Sequence, residues 1–314
     1  MNAPIPVTVV TGFLGAGKST LVDRWLRELP EGTVVIVNEQ GEVGIDGDLL
    51  AERVARVREI TGGCVCCRAQ AELCAALAEF AAASPSPQRI LVETSGAASP
   101  AGVVRALTWN SARDELRLDG VVTVLDAARA EAVLAFDLTI EQLGFADVVV
   151  LSRADTCDAA ALSDAASRAS THAPGAVITR GRHGVLEDGQ RLLDVLDARA
   201  QRLHALPEAA GHATHHGIDS VSLVLEGTLD EERFGDWVEH ALGSVQARIL
   251  RVKAILAIDG VAERVIVQGV GERIDVTLGP PWRDASPRCR LVVLGLSLDA
   301  DALREGFEAC AARA

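Results

Sequence analysis

VTVVTGFLGAGKST, residues 7–20, is the stretch of sequence that decides the fold. It opens with the apolar run Val7–Val10, passes through the glycine-rich segment Gly12–Gly17 and continues into a helical pattern from Lys18. The spacing G-x-x-x-x-G-K-[ST] between a strand and a helix is typical of a loop that holds phosphate groups. Its glycines let backbone N–H groups turn towards the phosphates, and the helix start adds a partial positive charge. We therefore predict a phosphate-binding loop after the first strand.

Two side chains of this loop have specific chemistry. The Lys18 ammonium is predicted to reach the β- and γ-phosphates, and the Ser19 hydroxyl is predicted to ligate Mg²⁺. The chain contains only two lysines, Lys18 and Lys253. One of them stands where the motif requires a lysine, which argues against a chance glycine-rich turn.

Around this loop, short apolar runs alternate with helical patterns. The predicted strands are Val7–Val10, Val34–Val37, Ile90–Val92, Val121–Leu125, Val148–Leu151 and Val177–Thr179. The predicted helices are Lys18–Leu29, Ala69–Ala83, Ala127–Ala135, Ala159–Thr171 and Leu186–Leu203. Because the strands are nearly continuous in apolar character, we expect an α/β fold of the P-loop NTPase type, with a mostly parallel sheet flanked by helices.

The order of the predicted strands and helices changes in the last third of the chain. A predicted helix at Glu231–Leu242 is followed by several strands in succession and a last helix, Asp299–Ala312. This order predicts a smaller α+β domain with an antiparallel sheet. We assign residues 1–203 to the P-loop domain, 204–217 to a histidine-containing linker and 218–314 to the second domain. Weak metal binding and an ordinary solvated linker both remain open for the histidines of 204–217.

Composition excludes several classes of protein. The formal net charge is −14, from 30 basic and 44 acidic residues, which argues against binding to nucleic acid. No apolar run has the length of a membrane-spanning helix, and the first residues lack the pattern of a secretory signal. The seven cysteines are odd in number and partly clustered, which is typical of reduced thiols rather than a disulfide framework. We expect a cytoplasmic protein that does not bind membranes.

Residues at two later strand ends extend the predicted nucleotide site. Glu93 follows one strand and can hold Mg²⁺, while Gly96 can turn its amide towards a γ-phosphate. Asp155 follows another strand and can accept hydrogen bonds from the N1–H and 2-amino groups of guanine. Ser152 and Arg153 stand where an Asn-Lys pair is usual, and arginine can cover the base by stacking. Simple capping of the helix at Ala159 by Asp155 is the competing interpretation.

The segment Cys64-Val65-Cys66-Cys67 is a candidate site for a transition metal. Thiolates are soft ligands that suit zinc and related ions. Because no second pair of cysteines follows, we expect an open site that a carboxylate such as Glu42, a histidine or a partner completes. Buried small side chains or a redox pair are the alternatives. Four scattered cysteines are expected in the core: Cys74, Cys157, Cys289 and Cys310.

Taken together, these motifs resemble those of the CobW-type P-loop GTPases, relatives of the urease and hydrogenase nickel-insertion GTPases. The matching segments are Gly12–Leu21 (GFLGAGKSTL), Asn38–Asp46 (NEQGEVGID), Gly63–Cys67 (GCVCC), Glu93–Pro100 (ETSGAASP) and Ala146–Asp155 (ADVVVLSRAD). The last third is similar to the CobW C-terminal domain through Arg251–Lys253, Val267–Val270, Trp282 and Leu291–Leu296. The sequence departs from the family pattern at Gln40, at Ser99 and at Ser152–Asp155.

The resemblance implies a GTPase that binds a transition metal and hands it to a client metalloprotein. By position it assigns phosphate and Mg²⁺ contacts to Gly12, Gly15, Ala16, Gly17, Lys18, Ser19 and Thr20. It further assigns γ-phosphate sensing to Glu93 and Gly96, base recognition to Asp155 with Ser152 and Arg153, and metal binding to Cys64, Cys66, Cys67 and Glu42. Zinc is the first choice of metal, cobalt and iron are also compatible, and a homo-oligomer is compatible with the sequence.

Two other functions remain alternatives. The chain could be a nucleotide-gated scaffold that activates a client metalloenzyme without transferring metal itself. A small-molecule kinase would use the same phosphate loop, but it would leave the cysteine cluster unexplained and lacks a recognisable domain for the acceptor substrate.

Overall fold

The computed structural model describes residues 3–39, 57–61, 66–109, 112, 114–187, 190–198, 206, 210–215, 217–243, 248–270, 273–283 and 285–312. The chain divides into two compact units. The first contains Met1–Ala173 and Val177–Asp197, and the second contains Pro174–Ala176 and Ala198–Ala314.

In the first unit, the described strands form one sheet in the order β3-β2-β4-β1-β5-β6-β7-β8. The strands are β1 Ile5–Thr11, β2 Thr33–Glu39, β3 Val57–Thr61, β4 Arg89–Thr94, β5 Leu116–Asp126, β6 Val148–Ser152, β7 Val177–Arg182 and β8 Val185–Leu186. All neighbours pair in parallel except β7 and β8, which are antiparallel. This confirms the predicted fold class. The central strands are buried on both faces, as their continuous apolar sequences require.

Helices connect these strands. They are α1 Lys18–Trp25, α2 Cys66–Ala81, α3 Ala101–Trp109, α4 Ala130–Val133, α5 Asp137–Phe145, α6 Ala159–His172 and α7 Leu192–Ala198, with short 3₁₀ turns at Ala127–Arg129 and Ala154–Thr156. Strand β3 and helices α3 and α5 were not predicted from the sequence. The predicted helix Leu186–Leu203 begins later in the structure, because Leu186 ends strand β8 and helix α7 begins at Leu192. The end of the predicted helix, residues 199–203, lies outside the described residues.

The second unit contains an antiparallel sheet in the order β13-β12-β11-β14-β10-β9 within the described residues. Its strands are β9 Gly211–His215, β10 Ile218–Glu226, β11 Arg248–Leu256, β12 Glu263–Val270, β13 Arg273–Pro281 and β14 Arg288–Leu296. Helices α8, Glu231–Gly243, and α9, Ala300–Ala309, supply Phe234, Trp237 and Phe307 to the core on one face of this sheet. No helix in the described part of the chain is long and apolar enough to cross a membrane.

Strand β9 lies inside the segment predicted as a linker. Residues Gly211–His215 pair antiparallel with Ile218–Ser222 and form an edge of the second sheet. The physical reason is the buried carboxylate of Asp219 on β10. It accepts hydrogen bonds from the Thr214 hydroxyl on β9 and from the Leu298 amide at 2.8 Å, and His212 Nε2 lies 3.3 Å away. Polar side chains therefore hold the edge strand β9 in place, whereas alternating apolar residues would be expected to do so.

Asp219 gives this edge a dependence on pH. Burial favours its neutral form, but the hydrogen bonds from Thr214, Leu298 and His212 outweigh burial and hold the pKa of the carboxyl below its usual value. A carboxyl whose pKa is lower in the folded state stabilises the fold above its unfolded-state pKa of about 3.9. That contribution is lost as the pH falls through the folded-state pKa.

We expect Asp219→Ala to lower the free energy of unfolding by about 1–3 kcal/mol at neutral pH, because three hydrogen-bonding groups lose their acceptor. The difference from the wild type should shrink below about pH 4. Denaturant titrations at several pH values measure this difference in the free energy of unfolding. Asp301→Ala is the control, because that side chain is 85% exposed and pairs with neighbouring Arg304 on the surface. An equal loss in both variants, or a difference independent of pH, would contradict the role of Asp219.

Candidate functional site

The phosphate-binding loop lies at the carboxyl end of β1, where helix α1 begins at Lys18. The Lys18 side chain is buried and turns back along the loop. Its Nζ donates to the carbonyl oxygens of Gly12 at 3.0 Å and Phe13 at 3.3 Å. The ammonium is thus held by the backbone of the loop itself, at the place where the motif needs a positive charge for phosphate oxygens.

Ser19 and Glu93 meet although 74 positions separate them. The Ser19 hydroxyl donates to Glu93 Oε1 at 2.7 Å. The contact follows from the sheet, because β1 and β4 pair in parallel with Val10 opposite Glu93. The structure therefore brings together the two side chains that the sequence analysis assigned to Mg²⁺.

Gly96 lies directly against the phosphate-binding loop. A β-carbon at this position would stand 2.6 Å from the Leu14 backbone nitrogen and 2.7 Å from its Cα. Any larger residue would have to push the two loops apart, so the close approach itself requires glycine. The predicted γ-phosphate sensor is therefore next to the loop that would hold the phosphates.

The loop after β6 is tied to the phosphate-binding loop by the two residues that depart from the family pattern. The Ser152 hydroxyl donates to the Ala16 carbonyl at 2.7 Å. Arg153 donates to the Gly15 carbonyl at 3.1 Å and forms an ion pair with the buried Asp126 at 2.9 Å. Serine and arginine thus join the two loops through hydrogen bonds and leave the Arg153 side chain 52% exposed beside the site.

The structure argues against the capping interpretation of Asp155. The cap of helix α6 is Asp158, whose side chain accepts from the Ala161 amide at 2.8 Å. Asp155 lies in the preceding 3₁₀ turn and pairs with Arg182 at 3.6 Å. Because its side chain is 30% exposed and does not cap the helix, its carboxylate is accessible to a ligand.

Asp155 lines a cavity of about 320 Å³ beside the phosphate-binding loop. Three segments form its walls: Ala16–Leu21, Ser152–Thr156 and Gly181–Gly184. The third wall, which is the end of β7 and the turn into β8, was not predicted from the sequence. The signal was present, because a strand parallel to β6 must end at the same edge of the sheet. Ligands of open α/β sheets bind at this edge.

The predicted metal site falls largely outside the described residues. Glu42 and Cys64 lie outside them, and Cys66 and Cys67 begin helix α2 with side chains that are not described. No group of three or more His, Cys, Asp or Glu side chains within the described ranges could hold a metal ion.

The remaining four cysteines differ in burial. Cys289 and Cys310 are buried as expected, whereas Cys74 and Cys157 are only partly buried, so their placement in the core was wrong. Burial raises the pKa of the Cys289 thiol to about 11 and also raises the pKa values of Cys74 and Cys310. These three side chains therefore stay as thiols at neutral pH.

Comparison with known families accounts for most of the chain. Residues 6–180 match the family described as CobW/HypB/UreG, nucleotide-binding domain. Residues 218–311 match the cobalamin synthesis protein cobW C-terminal domain.

Curated relatives are similar over nearly the whole length. A protein of Pseudomonas aeruginosa named zinc chaperone CobW is 36% identical, over 96% of this chain and 90% of its own. Zinc chaperone YjiA of Escherichia coli is 29% identical, over 97% and 98% of the two chains. A Schizosaccharomyces pombe protein named zinc-regulated GTPase metalloprotein activator 1 is 26% identical, over 87% of this chain and 77% of its own.

A solved structure supports the fold. The crystal structure of Zn(II)-bound YjiA GTPase from E. coli matches with a TM-score of 0.56 at 23% identity. The match covers 99% of this chain and 100% of that one.

The third wall of the cavity gives a prediction for Gly184. Gly184 has φ +77, and a β-carbon there would stand 2.7 Å from the Thr20 carbonyl oxygen. Gly260 has nearly the same backbone, φ +75, with no atom within 4 Å of its β-carbon position. We expect Gly184→Ala and Gly260→Ala each to lose about 1 kcal/mol of folding stability from the left-handed backbone.

Only Gly184→Ala should also weaken nucleotide binding, by about 5-fold or more, because the clash displaces the cavity wall from α1. Calorimetric nucleotide titration of both variants and the wild type measures this. Equal nucleotide affinity in the two variants would show that the third wall does not shape the site.

Proposed function

Because the chain belongs to the family of CobW, HypB and UreG nucleotide-binding proteins, we propose that this GTPase binds a zinc ion and passes it to a client protein. The observation that carries the proposal is the parallel arrangement of β2 and β3 beside β4 and β1. It brings Thr61, which leads towards Cys64, to the sheet edge that carries the phosphate-binding loop. A metal-binding segment that begins at this edge of the sheet can change its metal affinity with the nucleotide that is bound.

Guanine is the base that the cavity suits best. The Asp155 carboxylate can accept hydrogen bonds from the N1–H and 2-amino groups of guanine, which adenine lacks. Arg153 is held by Asp126 and Gly15 and has a planar guanidinium that can stack on the base. Ser152 fixes the distance between this loop and the phosphate-binding loop.

The residues at the phosphate end fit a magnesium ion. Ser19 Oγ and Glu93 Oε1 are oxygen donors 2.7 Å apart, and Mg²⁺ prefers oxygen ligands. Mg²⁺ held by these two residues would offset negative charge on the β- and γ-phosphates. In our proposal Lys18 contributes a second positive charge, and Gly96 senses the γ-phosphate through its amide. Lys18, Glu93 and Gly96 are the proposed catalytic residues.

Zinc is proposed to bind at Cys64, Cys66 and Cys67, with Glu42 as a further ligand. Thiolates suit zinc, and two similar proteins carry the name zinc chaperone. A cytoplasmic location is part of the proposal, because thiolate ligands have to stay reduced.

A nucleotide-gated activator is the second candidate function. The observation in its favour is the S. pombe relative, which is named a metalloprotein activator rather than a chaperone. In such a protein the cysteine cluster would serve docking or redox chemistry, and no metal would pass to the client. The two functions differ in whether GTP changes zinc affinity.

We expect Asp155→Asn to reduce the preference for GTP over ATP by roughly 10- to 100-fold, because two hydrogen bonds to a charged group are weakened. Competition titrations with both nucleotides measure the preference. Asp158→Asn is the matched control: it alters the cap of α6, three residues away, and should leave the preference unchanged. Equal binding of ATP and GTP by the wild type would contradict the assignment of Asp155 to the base.

We expect Mg²⁺ with a non-hydrolysable GTP analogue to tighten zinc binding by about 5- to 150-fold relative to GDP, which corresponds to a coupling of roughly 1–3 kcal/mol. Zinc affinity should also rise with pH near neutrality, because thiolate ligands must lose protons. Zinc competition titrations in the two nucleotide states measure the coupling.

Cys66→Ser should abolish tight zinc binding and leave GTP binding largely intact. Cys74→Ser, on the same helix α2, is the control and should bind zinc like the wild type. Tight zinc binding with the same affinity in both nucleotide states would contradict the chaperone cycle and favour the activator.

A further inference from the structure

Helix α5 contacts both loops that meet at the phosphate end of the sheet. At its start, Phe136 stacks on Phe13 of the phosphate-binding loop, with ring centroids 4.8 Å apart and an interplanar angle of 21°. Further along, Gln142 bonds to the loop that contains Gly96. One helix therefore contacts the loop that would bind the β-phosphate and the loop that would sense the γ-phosphate.

Gln142 is fully buried and directs its polar atoms at the Gly96 loop. Its Nε2 donates to the Ala98 carbonyl at 3.1 Å and to the Gly96 carbonyl at 3.4 Å. Both acceptors are carbonyl oxygens, so both N–H groups of the carboxamide are used on this loop. Its Oε1 has no hydrogen-bond partner within the described ranges. A buried amide is costly unless it is paired, and among the described residues this one pairs with the Gly96 loop alone.

The helix that carries Gln142 is itself fixed to the sheet. The Gln142 backbone carbonyl accepts from the Thr123 hydroxyl on β5 at 2.8 Å, and both residues are buried. The neighbouring Glu141 accepts from the Ser99 hydroxyl, whose oxygen in turn accepts from the Ala101 amide at the start of α3. The loop from Gly96 to Ser99 is therefore held at three points by a helix that is anchored on the sheet.

We propose that Gln142 is a positioning residue that sets the Gly96 loop for the γ-phosphate and thereby lets the protein distinguish GTP from GDP. The carbonyl of Gly96 belongs to the peptide that follows the predicted sensing amide, so a bond to this carbonyl fixes the orientation of Gly96. This inference rests on the proposed role of Gly96 in GTP binding.

A positioning role and a merely structural role predict different effects. GDP has no γ-phosphate, so its affinity does not depend on the orientation of Gly96. Loss of the Gln142 bonds should therefore weaken GTP selectively and lower kcat, with little effect on GDP. A residue that only supports packing would change the affinities for GTP and GDP alike, or change stability alone.

The test uses Gln142→Met in the full chain, because methionine keeps the length of the side chain and removes both N–H groups. We expect the affinity for a non-hydrolysable GTP analogue, relative to GDP, to fall by about 5- to 10-fold, and kcat for GTP to fall by about 10-fold. Calorimetric titration and phosphate release measure the two quantities. The ratio of the affinity for the GTP analogue to the affinity for GDP is taken within one variant. A change in the fraction of folded protein therefore does not affect this ratio.

Thr139→Val is the matched control. Thr139 lies one turn earlier on the same helix, is equally buried, and its hydroxyl has no hydrogen-bond partner among the residues that the structure describes. This variant should keep the wild-type ratio. If Gln142→Met does not fold, Gln142→Glu serves instead. Its ionised carboxylate cannot donate to the two carbonyls, so the ratio should fall as the pH rises.

The outcomes separate the inference from the proposed function. If the wild type hydrolyses GTP and Gln142→Met keeps the wild-type ratio and kcat, the inference is wrong and the proposed function stands. Equal weakening of the GTP analogue and GDP also overturns the inference, because it shows a structural role. A wild type that neither binds nor hydrolyses GTP overturns both.

Discussion

The parallel pairing of β1 with β4 on one side and β5 on the other is the constraint on which the site depends. It sets Val10 opposite Glu93 and so brings Glu93 to Ser19. Through β5 it also sets the end of β6, where the loop Ser152–Thr156 begins. In a parallel sheet all strands end at the same edge, so residues far apart in sequence meet there without any long-range loop. The strands are apolar because both faces of the sheet are covered by helices.

Hydrogen bonds to backbone carbonyls then give the phosphate-binding loop its shape. Lys18 holds the carbonyls of Gly12 and Phe13, Arg153 holds that of Gly15, and Ser152 holds that of Ala16. Within the loop the Ala16 amide also donates to the Phe13 carbonyl, at 3.2 Å, so that side chains and backbone together fix its turn. The Ser152-Arg153 pair, which departs from the family pattern, supplies two of these bonds.

Much of this could be predicted from the sequence, and the exceptions have physical causes. Strong β-branched runs predicted the central strands, and motif spacing predicted Lys18, Ser19 and Glu93, because these signals are local. Helix α5 was missed because three of its five buried residues, Thr139, Glu141 and Gln142, are polar and interrupt the apolar pattern. Strand β9 was missed for the same reason, since His212 and Thr214 face the buried Asp219. The cavity wall at Gly181–Gly184 depends on the position of β7 in the folded sheet, which no local sequence signal gives. The proposed zinc ligands lie outside the described residues or have side chains that are not described.

The burial of Lys18 has a consequence for the surface of the whole protein. The chain has only two lysines, and Lys253 is buried as well, at 2% exposure against 9% for Lys18. The remaining 28 of its 30 basic residues are arginines, whose guanidinium groups do not react as amines. Acetylation, methylation or ubiquitin attachment at lysine therefore has no exposed acceptor on the folded protein. A reagent that reacts with amines and modifies a lysine side chain reports that the region around Lys18 or Lys253 has opened.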